Sequence, residues 1–127
     1  MKKIIHQTIN IISVLVLLYF AYPKILGLPQ SVAGFVQFES VLGINADFFR
    51  LFTGFSELAM ALLIVAYMLK NKIIIGKIAY LFLLATMLSA LLIEFFVRPQ
   101  PVLLLVVIAI VLSIFSIYKL KSFQTNE

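Results

Sequence analysis

Apolar residues run almost unbroken through four stretches of this chain, at about residues 4–26, 48–69, 73–97 and 101–118, and the breaks between them are charged or carry proline. Each stretch approaches or exceeds the ~18 apolar residues with which a helix crosses a hydrocarbon core ~30 Å thick. A backbone in lipid must satisfy its hydrogen bonds internally, so four such stretches predict four transmembrane helices. The sequence therefore reads as an all-α, polytopic membrane four-helix bundle, with residues 1–127 forming one unit.

The breaks add detail. Pro99-Gln100-Pro101 predicts a tight turn with proline in the first helical positions that follow, where its missing N–H costs nothing. Lys70-Asn71-Lys72 predicts an equally short hairpin. The one long connection, residues 27–47, mixes Pro29, Gln30, Gln37, Glu39 and Asn45 with Val32, Phe35, Val36, Phe38, Val41 and Leu42. It is too polar to span and too apolar to float free, which predicts a short amphipathic helix at the membrane surface. Asn45 and Asp47 are both candidates to cap the helix after it.

Helical spacing shows where the polar residues point. His6, Asn10, Ser13, Leu17, Phe20 and Lys24 follow three-four steps and fall within about 40° of one another at ~100° per residue. The second helix repeats the pattern with Arg50, Gly54, Glu57 and Ala61, and the third with Gly76, Leu83, Met87, Ala90 and Glu94. The fourth offers a weaker stripe of Ala109, Ser113 and Ser116. One stripe of small and polar residues per helix is what a packed membrane bundle needs, since small side chains let backbones approach and polar ones find partners.

Glu57 is the residue of most interest. Counted from Phe48, it lies ~14 Å along its helix, near mid-membrane. An ionised carboxylate at that depth must be paired, wetted or protonated, and intramembrane acids commonly mark functional sites. A purely structural role, as partner of a lysine or arginine or as a protonated hydrogen-bond donor, accounts for it equally well. Its candidate company is Lys24 at the end of the first seam, Arg50 two turns along the same face and Glu94 near the end of the third helix. Together they outline a polar pocket. Each has a plainer reading: Lys24 snorkelling to head groups, Arg50 as an interface anchor, and Glu94 in a helical pair with Arg98.

Composition supports the membrane reading. The chain is 64% hydrophobic and 12% charged, against an apolar share of roughly 45–50% in soluble domains. Its net charge of +5 is organised by position: Lys2, Lys3, Lys70, Lys72, Lys77, Lys119 and Lys121 flank one set of helix ends, and Lys24, Arg50 and Arg98 the other. The positive-inside rule then puts both termini and the Lys70–Lys72 turn in the cytoplasm and the 27–47 connection outside. The lysines are placed to meet anionic lipid head groups, as in most such proteins, and the charge does not point to nucleic acid. Lys2 and Lys3 before an apolar core imitate a secretory signal, but Tyr22-Pro23-Lys24 offers no small-residue cleavage site, so an uncleaved first helix is expected.

The chain has no cysteine and one histidine, His6. No thiolate site, disulfide, bis-histidine haem ligation or conventional transition-metal set is therefore expected from it. His6 reads best as a polar residue of the cytoplasmic interface. The twelve phenylalanines read as lipid-facing and core residues. No phosphate-binding loop or nucleophile elbow is present, and no catalytic residue is assigned.

Tyr19-Phe20-Ala21-Tyr22-Pro23-Lys24 at the end of the first helix, Phe35 to Gly43 in the connection, and Arg50-x-x-x-Gly54-x-x-Glu57-Leu58 in the second helix resemble the DoxX-like membrane proteins. That family commonly has a glycine shortly before the lysine, where this chain has Ala21-Tyr22-Pro23. The resemblance implies four transmembrane helices in a bacterial cytoplasmic membrane and, for some relatives, association with quinone-linked sulfur oxidation or membrane thiol-stress complexes; a eukaryotic branch includes a receptor-assembly chaperone. Three functions follow as expectations. The first is an accessory subunit of a quinone- or thiol-linked membrane redox complex, binding a quinone or docking a membrane or peripheral redox partner. The others are a small proton-coupled transporter using Glu57, and an assembly or scaffold factor. Four-helix drug exporters carry their glutamate in the first helix among tryptophan and tyrosine, whereas this chain has no tryptophan and carries Glu57 in the second, which favours the first expectation.

Overall fold

The computed structural model describes residues 2–97 and 103–125. The described residues are helical almost throughout: α1 (Lys2–Leu26), α2 (Pro29–Leu42), α3 (Ala46–Lys70), α4 (Ile73–Leu92) continuing into a π-helical turn (Ile93–Val97), and α5 (Leu103–Thr125). Four helices are long and apolar enough to cross a membrane, within Lys3–Leu26, Ala46–Lys70, Ile73–Val97 and Leu103–Phe123. The chain is an all-α membrane bundle. Its outer faces carry exposed Leu15, Leu62, Leu81 and Ile114, apolar side chains that suit lipid as their solvent.

Local chemistry explains the ends. α1 stops at Gly27, whose φ of 71° is left-handed, and the Leu28 N–H turns back to the Pro23 carbonyl at 3.0 Å. Pro29 then opens α2. Gly43, at φ 73°, closes it by donating to the Glu39 carbonyl. Asn45, not Asp47, caps α3: its Oδ1 accepts the Phe48 N–H at 2.9 Å, and the Glu39 carboxylate accepts the Ala46 N–H at 2.8 Å. Asn71, left-handed at φ 55°, ends α3 and makes the hairpin to α4. The turn expected at Pro99–Pro101, and Arg98, lie outside the described residues.

Three boundaries differ from expectation: α1 starts at Lys2 rather than about 4. α3 starts at Ala46 rather than about 48, because its cap precedes the apolar run. α5 continues well beyond 118 and takes Lys119 and Lys121 into the helix. Lys119 is fully buried, so a residue that reads as a flanking charge belongs to the inner face.

α1 packs chiefly on α3, and α4 on α5, with α3 and α4 joining the two pairs. Of the stripes the spacing predicts, Asn10, Ser13 and Leu17; Arg50, Gly54, Glu57 and Ala61; Gly76, Leu83, Met87 and Glu94; and Ala109, Ser113 and Ser116 are buried, while His6, Phe20, Lys24 and Ala90 are half-buried. Gly54 sets the α1–α3 distance. A Cβ there would stand 2.9 Å from the Lys24 Cβ and 3.1 Å from Ile25 Cγ1, closer than carbon atoms pack. α2 lies over the start of α3, where Phe35, Phe38 and Ala46 form a small second core with Phe49, Ile93 and Val97.

Candidate functional site

The gap between the two helix pairs opens, at the end covered by α2, into a cavity of about 470 Å³. Six phenylalanines form much of its wall: Phe20 from α1, Phe35 and Phe38 from α2, Phe49 and Phe52 from α3, and Phe82 from α4. The Phe35 ring meets Phe38 and Phe49 edge-on, with centroids 5.2 Å apart in each case, so the three brace one another. Thr53, Ser56, Thr86 and Ser89 add hydroxyls to the lining.

Lys24, Glu57 and Glu94 bring the charge to this cavity. Lys24 Nζ lies 2.8 Å from Glu57 Oε1 in an ion pair whose side chains are 18% and 5% exposed. The ammonium also donates to the Phe20 carbonyl at 3.2 Å and lies 5.2 Å from the centre of the Phe20 ring. A carboxylate, a carbonyl and a ring face thus surround the cation, compensating for the water it lacks. Pro23, immediately before Lys24, has no N–H to donate to the Tyr19 carbonyl one turn back. Glu94 is buried and arrives on the π-helical turn, where one extra residue per turn re-aims side chains.

Arg50 does not line this cavity. It sits behind it, where its guanidinium donates from Nη1 to the Lys24 carbonyl and from Nη2 to Asp47 Oδ1 at 3.4 Å, and lies against Gly27. A last-turn carbonyl of α1 has no intrahelical partner, and Arg50 supplies one. The four sequence candidates therefore divide in two: Lys24, Glu57 and Glu94 face a common space, while Arg50 holds the end of α1 onto α3 and so fixes where Lys24 stands.

The aromatic wall escapes a helical-spacing argument because four of its six rings come from α2 and the start of α3, elements whose docking no periodicity reveals. The cluster of Phe35, Phe38, Phe48, Phe49 and Phe52 about a polar connection was the available signal. A second unforeseen feature lies at the opposite end. Lys119 Nζ sits over the rings of Tyr67, Tyr80 and Phe123 at 5.1, 5.6 and 5.2 Å and 3.1 Å from His6 Nδ1. His6 also stacks on Tyr118, and the Tyr80 hydroxyl donates to Asn10 Oδ1 at 2.6 Å. His6 is thus part of an interhelical network, more than the interface residue its position suggests.

Among the described residues no group of three or more His, Cys, Asp and Glu is placed to hold a metal ion. No protein-family model matches the chain, and comparisons with curated proteins and with solved structures find no match either.

Proposed function

We propose that this chain is a DoxX-like protein of the bacterial cytoplasmic membrane, with both termini inside, whose cavity holds a lipophilic ring of the quinone class for a partner redox protein. One observation carries the reading: an aromatic-walled cavity of about 470 Å³ has a single ammonium, that of Lys24, fixed at its edge by Glu57. Aromatic walls favour a flat ring, and a fixed ammonium is a donor for a ring oxygen. The volume lies within the ~300–1,000 Å³ usual for small-molecule sites. The chain has no cysteine and one histidine, so its part in such a complex is to bind and orient; the electrons belong to the ring and the partner.

The transporter reading draws on the same carboxylate, but Lys24 already occupies it at 2.8 Å. A cationic substrate would have to displace an ammonium held by three neighbours, which favours a fixed ligand site over an alternating one.

The test is purification in mild detergent from native membranes, with extraction and identification of bound lipids and proteins. The expected result is quinone enriched above its membrane ratio, lost on Lys24→Gln and on the cavity-filling Ala90→Phe while the proteins stay folded. Bulk-membrane quinone content in every preparation would overturn the reading. Glu57-dependent uptake of lipophilic cations into vesicles driven by a pH gradient would establish the transporter instead.

A further inference from the structure

A second cavity, of about 270 Å³, lies at the other end of the bundle and is chemically unlike the first. Lys3, His6, Gln7 and Asn10 of α1, Asn71 and Ser122 give it a polar lining; Tyr67, Met68, Ile73 and Phe123 give it an apolar one. Among the described residues, charge at this end has one sign. Lys3, Lys70, Lys72, Lys77, Lys119 and Lys121 gather here, whereas Glu39, Asp47, Glu57 and Glu94 all belong to the half that holds α2 and the first cavity.

Lys119 makes that imbalance consequential. It is fully buried, and its described partners are His6 and three aromatic rings, none of them an anion. Ring faces and an imidazole lone pair soften the loss of water but bring no negative charge to the ammonium. With Lys119 as the ammonium donor, His6 Nδ1 must accept, so Nε2 carries the proton and points to Ser122 Oγ at 3.3 Å. His6, Tyr67 and Phe123 belong both to the cage around Lys119 and to the cavity wall. The charge therefore stands one side chain behind the cavity, and the polar lining includes the Lys3 ammonium and the amide N–H groups of Gln7 and Asn71, while Asn10 Nδ2 donates to Gln7 Oε1 at 3.1 Å.

We propose that this cavity binds the phosphate group of an anionic phospholipid. Lys3 and the amides would meet the phosphate oxygens, Lys119 would supply compensating charge from behind His6, and Met68 and Ile73 would lie along the glycerol and upper acyl chains. The mixed lining favours a lipid over a free anion, because inorganic phosphate has nothing to place against the apolar side. Basic pockets between membrane helices take anionic head groups in this way.

The test is native mass spectrometry of the full chain released from nanodiscs containing equal amounts of phosphatidylglycerol and phosphatidylcholine. Phosphatidylglycerol should be retained preferentially, and Lys3→Gln, at an exposed position that leaves the core untouched, should reduce that preference about fivefold, the change expected from one lysine near a lipid surface. Lys119→Met, which keeps the cage filled, should reduce it too. The double variant Lys72→Gln/Lys121→Gln removes two exposed lysines of the same end that do not line the cavity and should leave the preference in place. Equal retention of the two lipids by the native chain would overturn the proposal, and so would a loss in the double variant as large as in Lys3→Gln, which would mark diffuse surface charge. Displacement of phosphatidylglycerol by millimolar inorganic phosphate would overturn the lipid assignment in favour of a free phosphate.

Discussion

Lys24 and Glu57, on different helices, form an ion pair at 2.8 Å that faces a cavity instead of being sealed in the core. The pair has a structural consequence that separates it from its ligand-binding role. Removing one partner strands a charge in an environment of low polarity, whereas removing both does not.

Glu57→Gln and Lys24→Met should therefore each destabilise the fold by roughly 3 kcal/mol, the lower part of the range for breaking a buried pair, because Lys24 keeps 18% exposure. The double variant should recover most of that loss. Unfolding by SDS titration in bicelles measures all three, and additive losses would show that the two charges act independently.

Gly54→Ala should force α1 away from α3, because the new Cβ meets the Lys24 Cβ at 2.9 Å and cannot be relieved by turning a side-chain end. A cost of about 1–3 kcal/mol is expected. Gly34→Ala is the control: beyond its own helix backbone and chain neighbours no atom lies within 4 Å of its Cβ position, and within α2 the change should stabilise by up to ~1 kcal/mol through helix propensity. The same unfolding assay compares them.

Arg50→Lys keeps the charge and loses the fork that reaches both the Lys24 carbonyl and Asp47. A loss of about 1–2 kcal/mol is expected, since the carbonyl at the end of α1 is then left short of a donor. Asp47→Asn should cost less than ~0.5 kcal/mol, as an exposed partner contributes little; its side chain is 75% exposed. Equal effects from the two would assign Arg50 to the surface pair instead.

Orientation is testable directly because the chain has no cysteine. A membrane-impermeant maleimide applied to intact cells should label Ser40→Cys, on the exposed face of α2, and leave Lys72→Cys untouched until the membrane is permeabilised. The opposite pattern would invert the bundle.

The four spans, the helix between the first two, and the inward direction of nearly every polar stripe were legible in the residues themselves. Hydrophobic length and the helical period are local properties, and in lipid the backbone has no alternative to the helix. By the same logic Lys24, Glu57 and Glu94 stood out, since ionisable groups on inward seams are rare and must be accommodated. Tertiary structure decided the rest. Whether Arg50 faced the cavity or the end of α1 depended on how closely Gly54 let two helices approach. The aromatic wall depended on where α2 docked. Lys119 read as a flanking charge because hydropathy records only what a side chain prefers; its burial came from His6, Tyr67 and Tyr80 on three other helices, together with Phe123 one turn along its own, a combination no single segment encodes.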